Sequence, residues 1–542
     1  MSHPTEQTDK GMLITNVAEA CGIDEPIRHS ARKDSVWRSM DYETMEGIRG
    51  TMIYAPTCGE GGERRMLLPA LGRCRIYVAM ATYADISGVF LKLENEAEYR
   101  CIRAFGASFF PEVSEYFYRE ADLDGRALII RRYPEITSLA WVRLEPVAET
   151  KKAEPPPLEV LVTQDGYNTA TFEDYLDKIA PLRDVRTGKF FFCMAHGDHC
   201  PHFRTQVGTP GVGENTAFVR PIDREIAVAM GDLMAKHPDF IPELIDYVHG
   251  QGMEFHGSVR IGAFYLPGFP MGSRFFLDHP EHYCRLTNGT EVSRLSLAEP
   301  EVRRHWLDLF REIISFDCDG LHLILTRALP FVLFEPAFCS LFEAKYGLSP
   351  LNLPEDDGRI LQLRAEIVTA FLRDVRALLD GIGAAKGRHL QFTLTVPPNE
   401  TVNRSFGLDL RSLAAAGIID NITADGALLV RDHNESPFNI DFAYFRDAVR
   451  GTACRWYPRL PGFPDSPAVL PEYLRKSLAH NASGVLLWDG CESFMPRAEY
   501  WEPLATLMRD LNDATEWPVR RLHPLRTLDG FDWDRYAPHN GF

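Results

Sequence analysis

FIPELIDYVHGQGMEFHGSVRIG, residues 240–262, carries the reading that decides the fold. Its first part repeats apolar residues at three- and four-residue intervals, as a helix covering a sheet requires, and its second part is a buried strand. The same alternation runs through the chain from about residue 158. The strands are LEVLVTQ (158–164), KFFFCMA (189–195), MEFHGSVRIG (253–262), GLHLILT (320–326), LQFTLTV (390–396), IIDNITA (418–424), ACRWY (453–457) and GVLLWD (484–489). Helical patterns lie between them, among them EPEVRRHWLDLFREII, ILQLRAEIVTAFLRDVRALL and PEYLRKSLAH, and AEYWEPLATLMRDL follows the last strand. Strands alternating with helices predict a parallel sheet covered by helices. The span is generous for a doubly wound sheet, and VTQDGYNTATF, after the first strand, lacks that fold's glycine-rich turn. The fold class read here is α/β, a (β/α)8 TIM barrel.

Residues 36–147 have a different rhythm. Short alternating runs such as RIYVAMATY, GVFLKLE, ALIIRRY and SLAWVRLE are bounded by Gly, Asp, Asn or Pro, the pattern of a small antiparallel β-sandwich. The proline-rich, charged AETKKAEPPPLE then reads as a stiff solvated connector. The expected organisation is an N-terminal segment 1–35, a carbohydrate-binding-like sandwich 36–150, a catalytic barrel 158–512 and a C-terminal extension 513–542.

A net charge of −18 argues against nucleic acid, whose phosphates need a basic face. The first 35 residues lack the basic start and apolar core of a secretory signal, and no window is apolar enough to span a membrane. Eleven cysteines, an odd number without a CxxC, fit a reducing compartment, the cytoplasm. No cofactor or metal is expected; homo-oligomer formation stays open.

In a barrel of this kind chemistry gathers at the carboxyl ends of the strands. The candidates there are Gln164, Asp165 and Asn168, then His196, Asp198, His199 and His202, then Arg260, Phe264 and Tyr265. Thr326, Arg327 and Glu335 follow the fourth strand, and Asn399, Glu400 and Asn403 the fifth. Asp425, Asn434 and Glu435 follow the sixth, Arg455 and Trp456 lie on the seventh, and Trp488, Asp489 and Glu492 stand at the eighth. Carboxylates can act as acid, base or nucleophile on a glycosidic bond, and aromatic faces stack on sugars.

DHPEHYCRLTNGTEVSRLSLAEPEVRRHWLDLFREIISFDCDGLHLILTR (278–327) resembles the core of the family-10-like glycosyl hydrolases. Their pattern runs from HPEW through a glycine turn and P-E-V-R to D-x-D-G-hydrophobic-H. ELIDYVHGQGMEFHGSVRIG and FGLDLRSLAAAGIIDNITA are similar to flanking segments of that family, in the same order. The resemblance implies a barrel glycosidase with a β-sandwich module. Relatives often carry an acid where this chain has Ile324, so Glu335 takes that role, or the chain works differently, or it is catalytically silent.

The expected function is hydrolysis of an O-glycosidic bond, with Glu335 as acid and Asp489 or Asp425 as partner. His196, Asp198, His199, Arg260, Arg327, Asn399, Glu400, Arg455, Trp456, Trp488 and Glu492 are the substrate-binding set. Each has an ordinary alternative: a helix cap for Asp489, a protein carboxylate as the partner of each arginine, core packing for the two tryptophans. Two other readings compete, a carbohydrate-binding barrel without activity and a metal-dependent hydrolase or lyase using HGDHCPH (196–202).

Overall fold

The structure, a computed structural model, describes residues 6–8, 11–26, 36–55, 62–82, 86–97, 99–105, 112–133, 137–147, 156–164, 171–210, 221–262, 273–326, 329–426, 440–460, 470–488, 498–511 and 521–528.

The N-terminal alternating runs form two antiparallel sheets. One has nine strands, in the order Glu6–Thr8, Gly11–Ile14, Trp141–Pro146, Arg73–Thr82, Glu112–Asp122, Arg521–Leu528, Arg38–Thr44, Arg49–Ala55 and Thr137–Leu139. The other has four, Arg64–Leu67, Ala127–Arg132, Ile86–Leu93 and Arg100–Phe105. Val78 and Tyr116 from the first share one buried cluster with Val89, Leu91 and Ile130 from the second. Period-two alternation supplies that shared face.

The expected boundaries at 36 and 513 do not bound this sheet. Gly11–Ile14 pairs with Trp141–Pro146, and Arg521–Leu528 lies between Glu112–Asp122 and Arg38–Thr44. An open strand edge leaves backbone groups unpaired, and chain from the far end of the sequence fills it here. His523 sits edge-on to Trp141, their ring centroids 5.0 Å apart.

From residue 159 eight parallel strands follow: β1 (Glu159–Gln164), β2 (Thr187–His196), β3 (Glu254–Arg260), β4 (Gly320–Ile324), β5 (Gln391–Val396), β6 (Asn421–Ala424), β7 (Arg455–Pro458) and β8 (Gly484–Leu487). They pair in the order β8-β1-β2-β3-β4-β5-β6-β7. The two ends of this ladder meet at one parallel bridge, Arg459 to Leu486. Leu460 N donates to Leu486 O at 2.8 Å and Ser483 N to Trp456 O at 3.0 Å, but no continuous ladder joins β7 to β8. The short strand His199–Cys200 turns back antiparallel on β2, which makes the sheet mixed.

Helices cover the outside, and their apolar stripes (Ile241, Leu244, Val248; Trp306, Leu309, Phe310, Ile313) join one large core with the outward residues of the strands. Close approach is built in at Gly257, where a Cβ would lie 2.5 Å from Ile313 Cγ2 on the helix Pro300–Ser315. At the amino ends two aspartates repeat one device. Asp319 accepts from Phe255 N at 2.8 Å and Asp420 from Phe392 N at 2.7 Å, each tying its strand to the one before it. The antiparallel unit meets the helical shell at Asp177, which accepts from Tyr99 N at 3.1 Å and pairs with Arg131.

Candidate active site

Pleating decides which side chains turn away from the helices, because successive residues point to opposite faces of the sheet. Leu161, Phe191, Ile324, Tyr457, Leu486 and Trp488 form a buried cluster of their own, distinct from the helix-facing core. Beneath it, at the strand amino ends, lies a charged layer. Lys189 stands 3.5 Å from Glu159 and 3.6 Å from Glu254, and Gln391 bonds Glu254 at 2.8 Å.

At the level of the apolar cluster a polar row crosses four strands. Ser258 Oγ meets His322 Nδ1 at 2.9 Å, His322 Nε2 meets Thr395 Oγ1 at 2.7 Å, and Thr395 Oγ1 meets Thr423 Oγ1 at 2.5 Å. His322 is fully enclosed, and Phe191 covers its ring at 4.3 Å between centroids. Burial holds its pKa well below the ordinary 6.5, with the charges of His256 and Arg260 acting in the same direction, so the ring is neutral. A neutral imidazole has one donor and one acceptor, which suits a hydroxyl on each side.

Above this row, at the carboxyl ends, Asp425 lies buried with Arg459 Nη1 2.8 Å from its Oδ1. The guanidinium carbons of Arg459 and Arg260 stand 5.2 and 5.3 Å from the Trp488 ring centroid. Both lie within the range of cation–π attraction. Tyr473 OH donates to Arg459 O at 2.5 Å and so fixes that turn. His196, buried, is the strand partner of Arg260. Asp425, Arg260, Trp488 and His196 of the expected set thus gather at the carboxyl ends of the strands.

Others go elsewhere. Glu335 is 0% exposed and sits in the wall after β4, where Ser296 Oγ donates to its Oε1 and Leu333 N to its Oε2 at 3.0 Å. Burial raises its pKa, opposed mainly by the Ser296 bond and then by backbone N–H groups. Asn399 caps the helix Glu400–Ser405 by accepting from Val402 N at 3.0 Å. Glu400, in that helix's first turn, lies 3.7 Å from Arg411. Arg455 begins β7 at the amino end, 3.7 Å from Glu159. Trp456 faces the helices, stacked on Phe445 at 5.7 Å. Gln164 and Thr326 are buried at their strand ends. Asp489, Glu492 and Arg327, like Asp165, Asn168, Phe264, Tyr265, Asn434 and Glu435, lie outside the described residues.

The histidine-rich segment 196–202 does not converge on one point. Asp198 accepts from Thr209 Oγ1 at 3.1 Å and meets His305 Nε2 at 3.1 Å. His202 stacks on Phe240, its centroid 5.3 Å away, and burial holds the pKa of His199 down to about 4. Strand pleating points neighbouring side chains apart, so close spacing in sequence does not make a ligand set here.

No family model and no curated protein matches this chain. Among solved structures it is similar to the catalytic domain of a beta-amylase from Paenibacillus polymyxa, with TM-score 0.40 and 12% identity over 62% of this chain and 94% of that one. It is similar also to a glycoside hydrolase family 18 N-acetylglucosaminidase from Paenibacillus barengoltzii, with TM-score 0.33 and 12% identity over 64% and 99%. A GH26-CBM35 beta-(1,4)-mannanase from Podospora anserina gives TM-score 0.29 and 10% identity over 90% and 96%. Likenesses this weak decide nothing about the chemistry of this chain.

Sequence reasoning missed Arg459, and with it the partner of Asp425. The signal was present: Arg455, Tyr457 and Arg459 share one face by the two-residue period, so the last of them lies on the face away from the helices at the strand's carboxyl end. Ser258, Thr395 and Thr423 were passed over as strand residues, although each stands an even step from a residue that faces inward.

Proposed function

We propose that this chain is a glycoside hydrolase whose substrate binds at the carboxyl-end mouth of a (β/α)8 barrel, closed at the Arg459–Leu486 bridge. The observation that carries the reading is the Asp425–Arg459 pair, 2.8 Å apart, beside an indole flanked by a second arginine. An ion-paired carboxylate suits the anionic role, as nucleophile or base or as stabiliser of the oxocarbenium-like transition state. The acid that protonates the leaving oxygen is assigned to Asp489, next in the chain after Trp488. As the acid gives up its proton, the C–O bond breaks and water, losing a proton in turn, supplies the new anomeric hydroxyl. Glu335, with both oxygens bonded inside the wall, is reassigned from acid to a support of that loop.

The two antiparallel sheets are read as a sandwich module of the carbohydrate-binding kind, and the substrate as an oligosaccharide or small glycoside. Cys21, Cys74, Cys200, Cys284, Cys318, Cys339 and Cys454 are unbridged thiols, which supports a reducing compartment. Among the described residues no helix is long and apolar enough to cross a membrane.

The test is reducing-sugar release from a panel of oligosaccharides and aryl glycosides. With a substrate found, Asp425→Asn is expected to lower kcat by at least about 100-fold while Glu335→Gln leaves it within a few-fold. Full activity in Asp425→Asn overturns the assignment. The silent carbohydrate-binding reading rests on Ile324, which occupies the inward position at the end of β4. It gains if nothing is cleaved while sugars still perturb Trp488 fluorescence.

A further inference from the structure

The connection from β3 to the helix Pro300–Ser315 carries a group of side chains that the glycosidase reading does not use. The single turn Pro280–His282 brings His279 and His282, three residues apart, to the same side as Glu281. One ligand atom from each lies within 4.8 Å of the others, and this is the one such group among the described residues. His279 Nδ1 is 2.8 Å from Glu281 Oε1, and His282 Nε2 is 3.8 Å from the same oxygen. From the start of the helix, Glu301 Oε2 reaches to 3.0 Å from His282 Nε2, and Glu299 Oε2 to 3.8 Å from His282 Nδ1.

Small shifts would bring these groups into a coordination shell. Zinc bonds of about 2.0–2.2 Å place neighbouring ligands of a tetrahedron about 3.3–3.6 Å apart, so the 2.8 and 3.0 Å contacts would each open by about half an ångström and the 3.8 Å contact of His282 Nε2 would close by less. The donors are held in place. His282 is buried, its N donates a turn bond to His279 O at 3.1 Å and its O accepts from Ser296 N at 2.9 Å. Phe275 lies tilted against His279 at 4.5 Å between centroids and stacks on His305 at 4.0 Å. Three carboxylates, Glu281, Glu299 and Glu301, face two imidazoles, so the cluster is rich in negative charge and a divalent cation would balance it. Imidazole with carboxylate favours zinc and its transition-metal neighbours over calcium or magnesium.

We propose that His279, Glu281 and His282, with Glu301 as the fourth group, bind one divalent cation of the zinc class. The ion cross-links the turn to the helix start and so clamps the segment Ser273–His282 against the helix Pro300–Ser315. Through Phe275 and His305 the clamp is continuous with Asp198, at the end of β2.

The test is calorimetric titration of the full chain, cleared of metal with a chelator, with zinc chloride, alongside its melting temperature. The wild type is expected to bind one equivalent and to melt higher with zinc. His279 and Glu281 are 34% and 58% exposed at their side chains, so H279A/E281Q should fold, and circular dichroism confirms it. That variant is expected to lose more than about 100-fold in affinity, beyond what loss of an outer-shell partner costs, and to show no melting shift. H237A, which removes a surface histidine paired with Glu243 elsewhere, should bind as the wild type does. Unchanged binding by H279A/E281Q, equal loss in H237A, or no zinc uptake by the wild type overturns the proposal. Asp425→Asn should keep the metal, so failure here is distinct from failure of the glycosidase reading.

Discussion

His322 makes stability depend on pH in a way that can be assigned to one side chain. The ring is enclosed between Ser258 and Thr395, and burial holds it neutral, whereas in the unfolded chain it titrates near 6.5. A histidine whose folded pKa is depressed binds more protons unfolded than folded, so its contribution is complete above the unfolded value and declines as pH falls. The decline is about 1.4 kcal/mol for each unit below 6.5 while the folded ring stays neutral, or about 2 kcal/mol at pH 5. With an unfolding entropy of about 2.1 cal/mol/K per residue over 542 residues, this is about 2 °C in melting temperature. Other groups titrate over the same range, so the quantity to measure is a difference. The drop in melting temperature between pH 7 and pH 5 should be smaller in His322→Gln than in the wild type by that amount. Glutamine cannot titrate and can bond one of the two hydroxyls, so the variant should fold with a cost of about 1–3 kcal/mol at pH 7. An equal pH response in both proteins would refute the reasoning, since it would mean that His322 takes up its proton in the folded ring. His199, held near 4 by burial, acts with the same sign and is common to both proteins.

Glu335 should show the opposite dependence. Its folded pKa is raised, so its contribution is complete below the unfolded 4.5 and is lost as pH rises; Glu335→Gln should flatten that loss, and melts at pH 5 and pH 8 measure it. Trp456→Ala should cost about 3–5 kcal/mol in denaturant unfolding without changing saccharide binding, because its indole packs on Phe442 and Phe445, away from the mouth. Gly320→Ala should destabilise by about 1–3 kcal/mol, since its Cβ would come within 2.4 Å of Gln391 O and 2.6 Å of His256 Nδ1; a melt unchanged from wild type would show that the strand yields there.

Part of the site was legible in the chain and part was not. Asp425 and Trp488 follow apolar strands directly, and Arg260 ends one, so position relative to the strand end was enough to nominate them. Arg455 and Trp456 satisfied the same test on residue type, yet one lies at the opposite end of β7 and the other on its helix-facing side. The strand read from 453 begins at Arg455, which puts that residue at the amino end and, by alternation, turns Trp456 to the helices. Glu335 was nominated for its apolar surroundings, and burial did raise its pKa, but those surroundings also enclose it.

Local periodicity by itself determined the alternation of helix and strand, the antiparallel character of the N-terminal unit and the presence of an inward face on each strand. These depend on residues two to four apart, which geometry couples directly. Only the tertiary structure decided that Arg521–Leu528 closes a sheet begun some five hundred residues earlier, that Arg459 reaches Asp425, and that Ser258, His322, Thr395 and Thr423 form one row. Those pairings depend on register between distant strands, which is fixed by packing the whole sheet and leaves no mark on any one segment.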